Sequence, residues 1–164
     1  HMRSLLSLQE KSQSYIFSPQ KAIFEIIKLN QDTKLKKSLV TRMAIPIQKY
    51  LQGNKLLFQE MLICLINNAY ESYQKRSKHK MVFVSATNIN ESCLINVADA
   101  GRGMNWWEKN LASKAFHSQK KEHSGLGLFF VKQTIEKDFK GKITIKSKKN
   151  KGTTIDLLIP FYKG

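Results

Sequence analysis

Two glycine pairs, one carboxylate and one asparagine carry the chemistry that this sequence offers. Asp99 closes the strand-like run CLINVAD and is followed at once by Gly101 and Gly103. A carboxylate at the end of an apolar run is costly unless donors surround it, so it is either a hydrogen-bond acceptor in a pocket or an Asp-initiated turn closing the strand. The two glycines let the backbone turn sharply and approach a ligand closely. Further along, Gly125, Leu126 and Gly127 open an apolar, helix-periodic stretch that runs to Phe139. Amides bared at such a helix start attract an anion, while the plain alternative is a loop whose glycines ease a tight entry. Leu57, Met61, Leu65 and then Asn68 recur at helical spacing, so an asparagine ends an otherwise apolar inner stripe.

Those residues need elements to hold them. Residues 3–16 alternate leucines with polar residues and read as the tail of a helix. Ser18 is a good N-cap and Pro19 a good first helical residue, which predicts a helix from about 19 to 31 with Ala22, Ile23, Ile26 and Ile27 on one face. SLVTRMAIP reads as a strand, and QGN breaks the chain before the long helical segment KLLFQEMLICLINNAYESYQKR. MVFVSAT and CLINVAD form a hairpin through the turn-rich NINES, and strand parity puts Asp99 on the same side as Ile95 and Val97. Residues 100–124 are polar, basic and irregular; GKITIKS and GTTIDLLIP make a second hairpin around KKNKG. This order predicts an α+β fold: a two-layer α/β sandwich whose mixed, mostly antiparallel sheet carries its helices on one face.

The chain's 164 residues are enough for one domain with a core of its own. A net charge of +16 favours polyanionic company: nucleotide phosphates, an acidic protein, nucleic acid or an anionic membrane surface. The lysines fall in short runs such as KLKK, QKRSKHK and KSKKNK, which read as turns and solvated surface, and no nucleic-acid-binding motif accompanies them. Cys64 and Cys93 sit in apolar stretches without pairing or metal spacing, which points to core positions and a reducing, cytoplasmic compartment. No apolar run is long enough for a membrane span. The leading HM looks like an expression scar. The abrupt helical start suggests a piece of a longer protein, whose membrane attachment the fragment leaves open, divided as scar and helix stub over 1–17 and one domain over 18–164. Other nucleotide signatures fail: G-x-x-x-x-G-K-[ST] is missing, neither glycine pair completes G-x-G-x-x-G, and KDFKG lacks a companion catalytic loop.

In that order, the asparagine, the D-x-G-x-G turn and the glycine pair resemble the GHKL family of ATP-binding domains, shared by DNA gyrase, MutL and the two-component sensor histidine kinases. The resemblance to the kinase catalytic domain covers roughly residues 18 to 162. LICLINNAYES looks like the N box, VADAGRGM like the first glycine box, KAFHSQK like the lid, HSGLGLFFVK like the second glycine box and KGTTIDLLIP like the final strand motif. The resemblance implies that Asn68 holds Mg²⁺ through its side-chain oxygen, with Glu71 one turn on in the same ATP site. It implies that Asp99 accepts from the adenine amino group, that Gly101 and Gly103 let the backbone pass the base, and that Met104 touches the base. Phe116 and Lys120 would lie in the lid, with the lysine meeting phosphate oxygens. Ser124, Gly125, Leu126 and Gly127 would cradle the phosphates, and Thr153 would lie near the adenine end.

Two positions depart from the pattern. Cys64 stands one helical turn before Asn68, where relatives carry Asn, His or a catalytic Glu. A thiol is a poor partner for Mg²⁺ or water, which disfavours water-activating members and favours phosphotransfer. His123 stands where the second glycine box usually begins with glycine. None of the four histidines, His79 and His117 included, has the acidic neighbour of a phospho-accepting histidine, and Trp106 and Trp107 read as packing for the lid. The resemblance therefore implies a monomeric ATP- and Mg²⁺-binding kinase domain. Its acceptor histidine would lie on a separate dimerisation hairpin and its downstream partner would be a response regulator, with no nucleic acid expected. The alternatives are a degenerate, non-catalytic docking module and a serine kinase or regulator of the anti-sigma type.

Overall fold

The computed structural model describes residues 15–29, 38–46, 48–74, 77, 79–105, 108–109 and 126–164. Strand β1 (Tyr15–Phe17) leads into helix α1 (Pro19–Leu29), followed by β2 (Leu39–Ala44), β3 (Leu51–Gly53) and the long helix α2 (Lys55–Glu71). The hairpin β4 (Val82–Ile89) and β5 (Ser92–Asp99) comes next, then α3 (Leu126–Gln133), a π-helical turn (Thr134–Asp138), and the hairpin β6 (Lys142–Lys148) and β7 (Gly152–Pro160). Five strands form one sheet in the order β2-β4-β5-β7-β6, antiparallel except for the parallel pair β2 and β4. The predicted two-layer α+β sandwich is thus the observed fold.

Alternation decides which face of the sheet is covered. Val82, Val84, Ala86, Cys93, Ile95, Val97, Ile155, Leu157 and Ile159 point inward and are buried. They pack against Ala22, Ile23 and Ile26 of α1 and Phe58, Met61, Leu62, Leu65, Ile66 and Ala69 of α2. At about 1.5–3 kcal/mol for each large apolar side chain fully removed from water, this layer dominates the stability of the fold. Asn54 caps α2, its Oδ1 accepting from the amides of Leu56 and Leu57 at 2.9 and 3.2 Å. Ser18 caps α1 as expected, with Lys21 N donating to its Oγ at 3.3 Å.

Three local readings differ from the structure. Tyr15 and Ile16, read as the end of a helix, are strand: β1 pairs antiparallel with β3, so residues 15–17 join the body through backbone bonds, and Phe17 is buried. Gln52 and Gly53, read as a chain break, form the other half of that pair. The helix after Gly127 does not run on unchanged to Phe139. A π turn, with Phe139 N donating to Thr134 O at 3.2 Å, swings Phe139 into the core beside Phe17 and Phe58.

Candidate functional site

Register at one end of the sheet gathers the polar residues. Asp99, the last residue of β5, stands opposite Val82 on β4 and Thr153 on β7, and Thr153 stands opposite Ser147 on β6. Beside this row, α2 presents Asn68, Glu71 and Ser72 at helical spacing, and α3 begins just across from it. Between them lies a cleft of about 210 Å³. Leu65, Ala69, Val97, Met104, Leu128 and Ile155 supply its apolar walls, and Asn68, Glu71, Ser72, Asp99, Arg102 and Thr153 its polar groups. That volume, among the described residues, accommodates a ring system.

Asp99 is half-buried, and its carboxylate is supported as strand parity requires. Oδ1 accepts from Ser72 Oγ at 2.8 Å and from Gly101 N at 2.8 Å. Burial pushes its pKa above the ordinary aspartate value, while the bonds from Ser72, Gly101 and the Thr153 backbone oppose that rise.

The turn after Asp99 is pinned residue by residue. Ala100 N donates to Tyr73 Oη at 2.9 Å, and that hydroxyl donates to Met81 O at 2.7 Å. Arg102 N donates to Ser72 O at 3.0 Å, and Asn150 N donates to Arg102 O at 2.7 Å. Met104 N donates to Ser147 Oγ at 2.8 Å. Gly103 has φ of +61°, and a side chain there would run into the Lys148 carbonyl. A side chain at Gly101 would strike Ser72. The two glycines are therefore required by close packing of the loop between α2 and the β6–β7 hairpin. Arg102 Nη1 pairs with Glu108 Oε1 at 2.9 Å at the mouth, and its side chain stays largely exposed.

Asn68 is exposed at the cleft rim rather than buried on an inner stripe, and its Nδ2 lies 3.7 Å from Cys64 Sγ. Cys64 is half-buried, one layer behind Gly127; burial raises its thiol pKa, with the Asn68 contact opposing. A Cβ on Gly127 would lie 2.9 Å from Cys64 Sγ and 3.4 Å from Asn68 Nδ2. Gly127 thus lets α3 approach α2 closely.

Of the residues singled out in the sequence, Asn68, Glu71, Asp99, Gly103, Met104, Gly127 and Thr153 line one cleft, with Gly101 and Cys64 just behind its wall. Phe116, Lys120, Ser124 and Gly125 lie outside the described residues, as do Trp106, Trp107, His117 and His123; Leu126 is described as the first residue of α3. His79 is an exposed surface residue. Cys93 is a core residue, as expected. Sequence reasoning missed Ser72, Tyr73 and Ser147. Ser72 had a readable signal, lying one helical turn beyond Asn68.

A family model described as histidine kinase-, DNA gyrase B-, and HSP90-like ATPase matches residues 53–163. Sporulation kinase C of Bacillus subtilis is 26% identical over 110 residues, which are 67% of this chain and 25% of that protein. Sporulation kinase B of the same organism is 24% identical over 148 residues, 86% of this chain and 34% of that one. This chain therefore spans a quarter to a third of these relatives. The nucleotide-free catalytic domain of histidine kinase ThkA superposes with a TM-score of 0.74 at 19% identity, covering 90% of this chain and 97% of that one. ThkA in complex with response regulator TrrA superposes at 0.72 and 16% identity, covering 98% and 46%.

Proposed function

The chain belongs to the histidine kinase-, DNA gyrase B- and HSP90-like ATPase family, and from that membership we propose that it is the ATP-binding catalytic domain of a two-component sensor histidine kinase. The observation that carries the reading is the half-buried Asp99 carboxylate at the end of β5, held by Ser72 and Gly101 in a cleft with apolar walls. In this reading Asp99 accepts from the adenine amino group, Met104 and Leu128 cover the ring, and Thr153 closes the adenine end. The phosphates leave the cleft past Asn68 and Gly127 toward the amides of Ser124, Gly125, Leu126 and Gly127. Lys120 meets their oxygens, and Phe116 belongs to the lid above them.

The donor set fits Mg²⁺. The Asn68 amide nitrogen faces a sulfur, so its carbonyl oxygen is the end suited to a hard cation, and Glu71 lies one turn on. Among the described residues no cluster of three His, Cys, Asp or Glu forms a cage. When bound, Mg²⁺ would be held by the Asn68 side-chain oxygen and would neutralise phosphate charge. The chain's own residues supply position: they fix the base, hold the phosphate chain and turn the γ-phosphoryl toward a histidine imidazole on a separate hairpin, which attacks in line as the bond from phosphorus to the β–γ bridging oxygen breaks and ADP leaves. The phosphoryl group then passes to an aspartate of a response regulator. Cys64 cannot activate water as a Glu would, which favours transfer over hydrolysis. No described helix is long and apolar enough to cross a membrane, and the domain acts on the cytoplasmic side of its parent protein.

The comparisons do not favour a degenerate docking module or an anti-sigma-type serine kinase. The test is label transfer from γ-labelled ATP to a histidine-bearing dimerisation hairpin supplied in trans. The expected product is acid-labile and alkali-stable, as for phosphohistidine, and depends on this chain. Acid-stable label on a serine of any protein would replace this reading with the anti-sigma one.

A further inference from the structure

We propose that Ser72 determines which base the cleft accepts, by fixing the rotation of the Asp99 carboxylate; the inference rests on the reading of the cleft as an adenine site. The loop around Asp99 has little freedom. Tyr73 holds Ala100, Ser72 O and Asn150 N hold Arg102, and Ser147 holds Met104. Asp99 itself is anchored by its place in the β5–β7 ladder. What remains is the side chain: χ1, confined to staggered wells, and the terminal torsion of the carboxylate, an sp³–sp² bond with a broad profile.

Ser72 and the Gly101 amide together restrict that freedom, and Ser72 is the side chain of the two. Its Oγ sits 2.8 Å from Ala69 O and 2.8 Å from Asp99 Oδ1, seated between the end of α2 and the carboxylate. The single hydroxyl proton goes to the carboxylate when that group is ionised. Gly101 N bonds the same oxygen at 2.8 Å. An ionised carboxylate offers about four lone-pair positions, two on each oxygen, so with both of these donors on Oδ1 the other oxygen is left for a ligand. A ring amino group satisfies that position. A ring carbonyl sets oxygen lone pairs against it and is rejected, because a site built for a donor leaves its buried acceptor unpaired when the donor is missing. Without the hydroxyl the carboxylate turns about its torsion, accepts solvent and loses this discrimination. Of the two groups that bond Oδ1, Ser72 is the one whose donor is a side chain and can be removed by substitution.

The test is calorimetric titration of Mg-ATP and Mg-ITP, which carries a 6-carbonyl in place of the 6-amino group, into the unmutated chain, Ser72→Ala, Asp99→Asn and the double variant. The unmutated chain should prefer ATP. Ser72→Ala should reduce the ATP/ITP affinity ratio by about tenfold, equivalent to about 1.4 kcal/mol, with a thermal midpoint close to the unmutated one. In the Asp99→Asn background the same change should leave the ratio unmoved. Ser72→Cys, of similar volume with only a weak donor, should behave like Ser72→Ala and replaces it if the alanine variant does not fold. A purely structural serine would weaken ATP and ITP by the same factor in both backgrounds, and that result overturns the inference while leaving the adenine site standing. Equal affinity of the unmutated chain for both nucleotides overturns the adenine reading and the inference with it.

Discussion

Gly127→Ala should force α3 away from α2, and Cys64→Ala should cancel the damage. A Cβ at position 127 would lie 2.9 Å from Cys64 Sγ, short of the roughly 3.5–4.0 Å at which heavy atoms rest. Overpacking of this kind costs about 1–3 kcal/mol, and replacing a helical glycine by alanine returns about 0.5–1 kcal/mol. The expected net loss is about 0.5–2 kcal/mol. With the sulfur removed the clash disappears, so the same substitution in a Cys64→Ala background should be neutral or stabilising by up to about 1 kcal/mol. The cycle therefore predicts a coupling of about 1–3 kcal/mol, well above the roughly 0.3–0.5 kcal/mol scatter of independent sites. Urea unfolding of the four proteins, followed by circular dichroism with the slope checked for constancy, measures it. Additive effects, or a stabilising Gly127→Ala in the unmutated background, would refute the claim that this glycine serves helix contact.

Four further outcomes follow from the same coordinates. Burial raises the Asp99 pKa, so its folded value lies above the unfolded one. The stabilising contribution is then full below the unfolded pKa and lost as pH rises through the folded one; Asp99→Asn should be neutral or mildly stabilising in thermal melts at pH 7. The same shift predicts that ATP affinity falls on acidification at a pH above the ordinary aspartate range, and a flat profile there would contradict it. Phe58→Ala should cost about 3–5 kcal/mol in urea unfolding, because the ring is fully buried and lies 5.2 Å from Phe17 and 5.8 Å from Phe139 between centroids; a loss under about 1 kcal/mol would contradict that packing. Burial pushes the Cys93 thiol up to about 12, so alkylation of the native protein near pH 8, followed by peptide mass spectrometry, should modify Cys64 and spare Cys93. Equal labelling would show that the core opens.

The sequence carried the long-range architecture where local signals were strong. Both hairpins were legible because alternating apolar residues flank turn-forming segments, and Asn90 and Asn150 take the positive φ those turns need. Parity alone placed Asp99 beside Ile95 and Val97. The pair of β1 and β3 was illegible because each is three residues long and its partner is distant in sequence, so no periodicity accumulates. The π turn was hidden for a different reason: the core's demand for Phe139 overrides the local helical pattern. At the site, residue types that touch a ligand stood out, whereas those that hold such residues did not. Tyr73, Ser147 and Asn150 work through hydroxyls and backbone amides across 27, 43 and 48 residues of chain, a relation that spacing cannot reveal. Gly127 was visible as a glycine, but its packing against Cys64 depends on how two helices meet.

The central claim is that the cleft beside Asp99 binds an adenine nucleotide with Mg²⁺. Calorimetric titration of ATP and GTP, with and without Mg²⁺, into the unmutated chain and into Asp99→Asn tests it most directly. The account predicts Mg²⁺-dependent binding of ATP between about micromolar and millimolar affinity, roughly −8 to −4 kcal/mol, absent for GTP and weakened by about tenfold or more in Asp99→Asn. Binding of neither nucleotide by the unmutated chain, or ATP binding indifferent to Asp99→Asn, would contradict it.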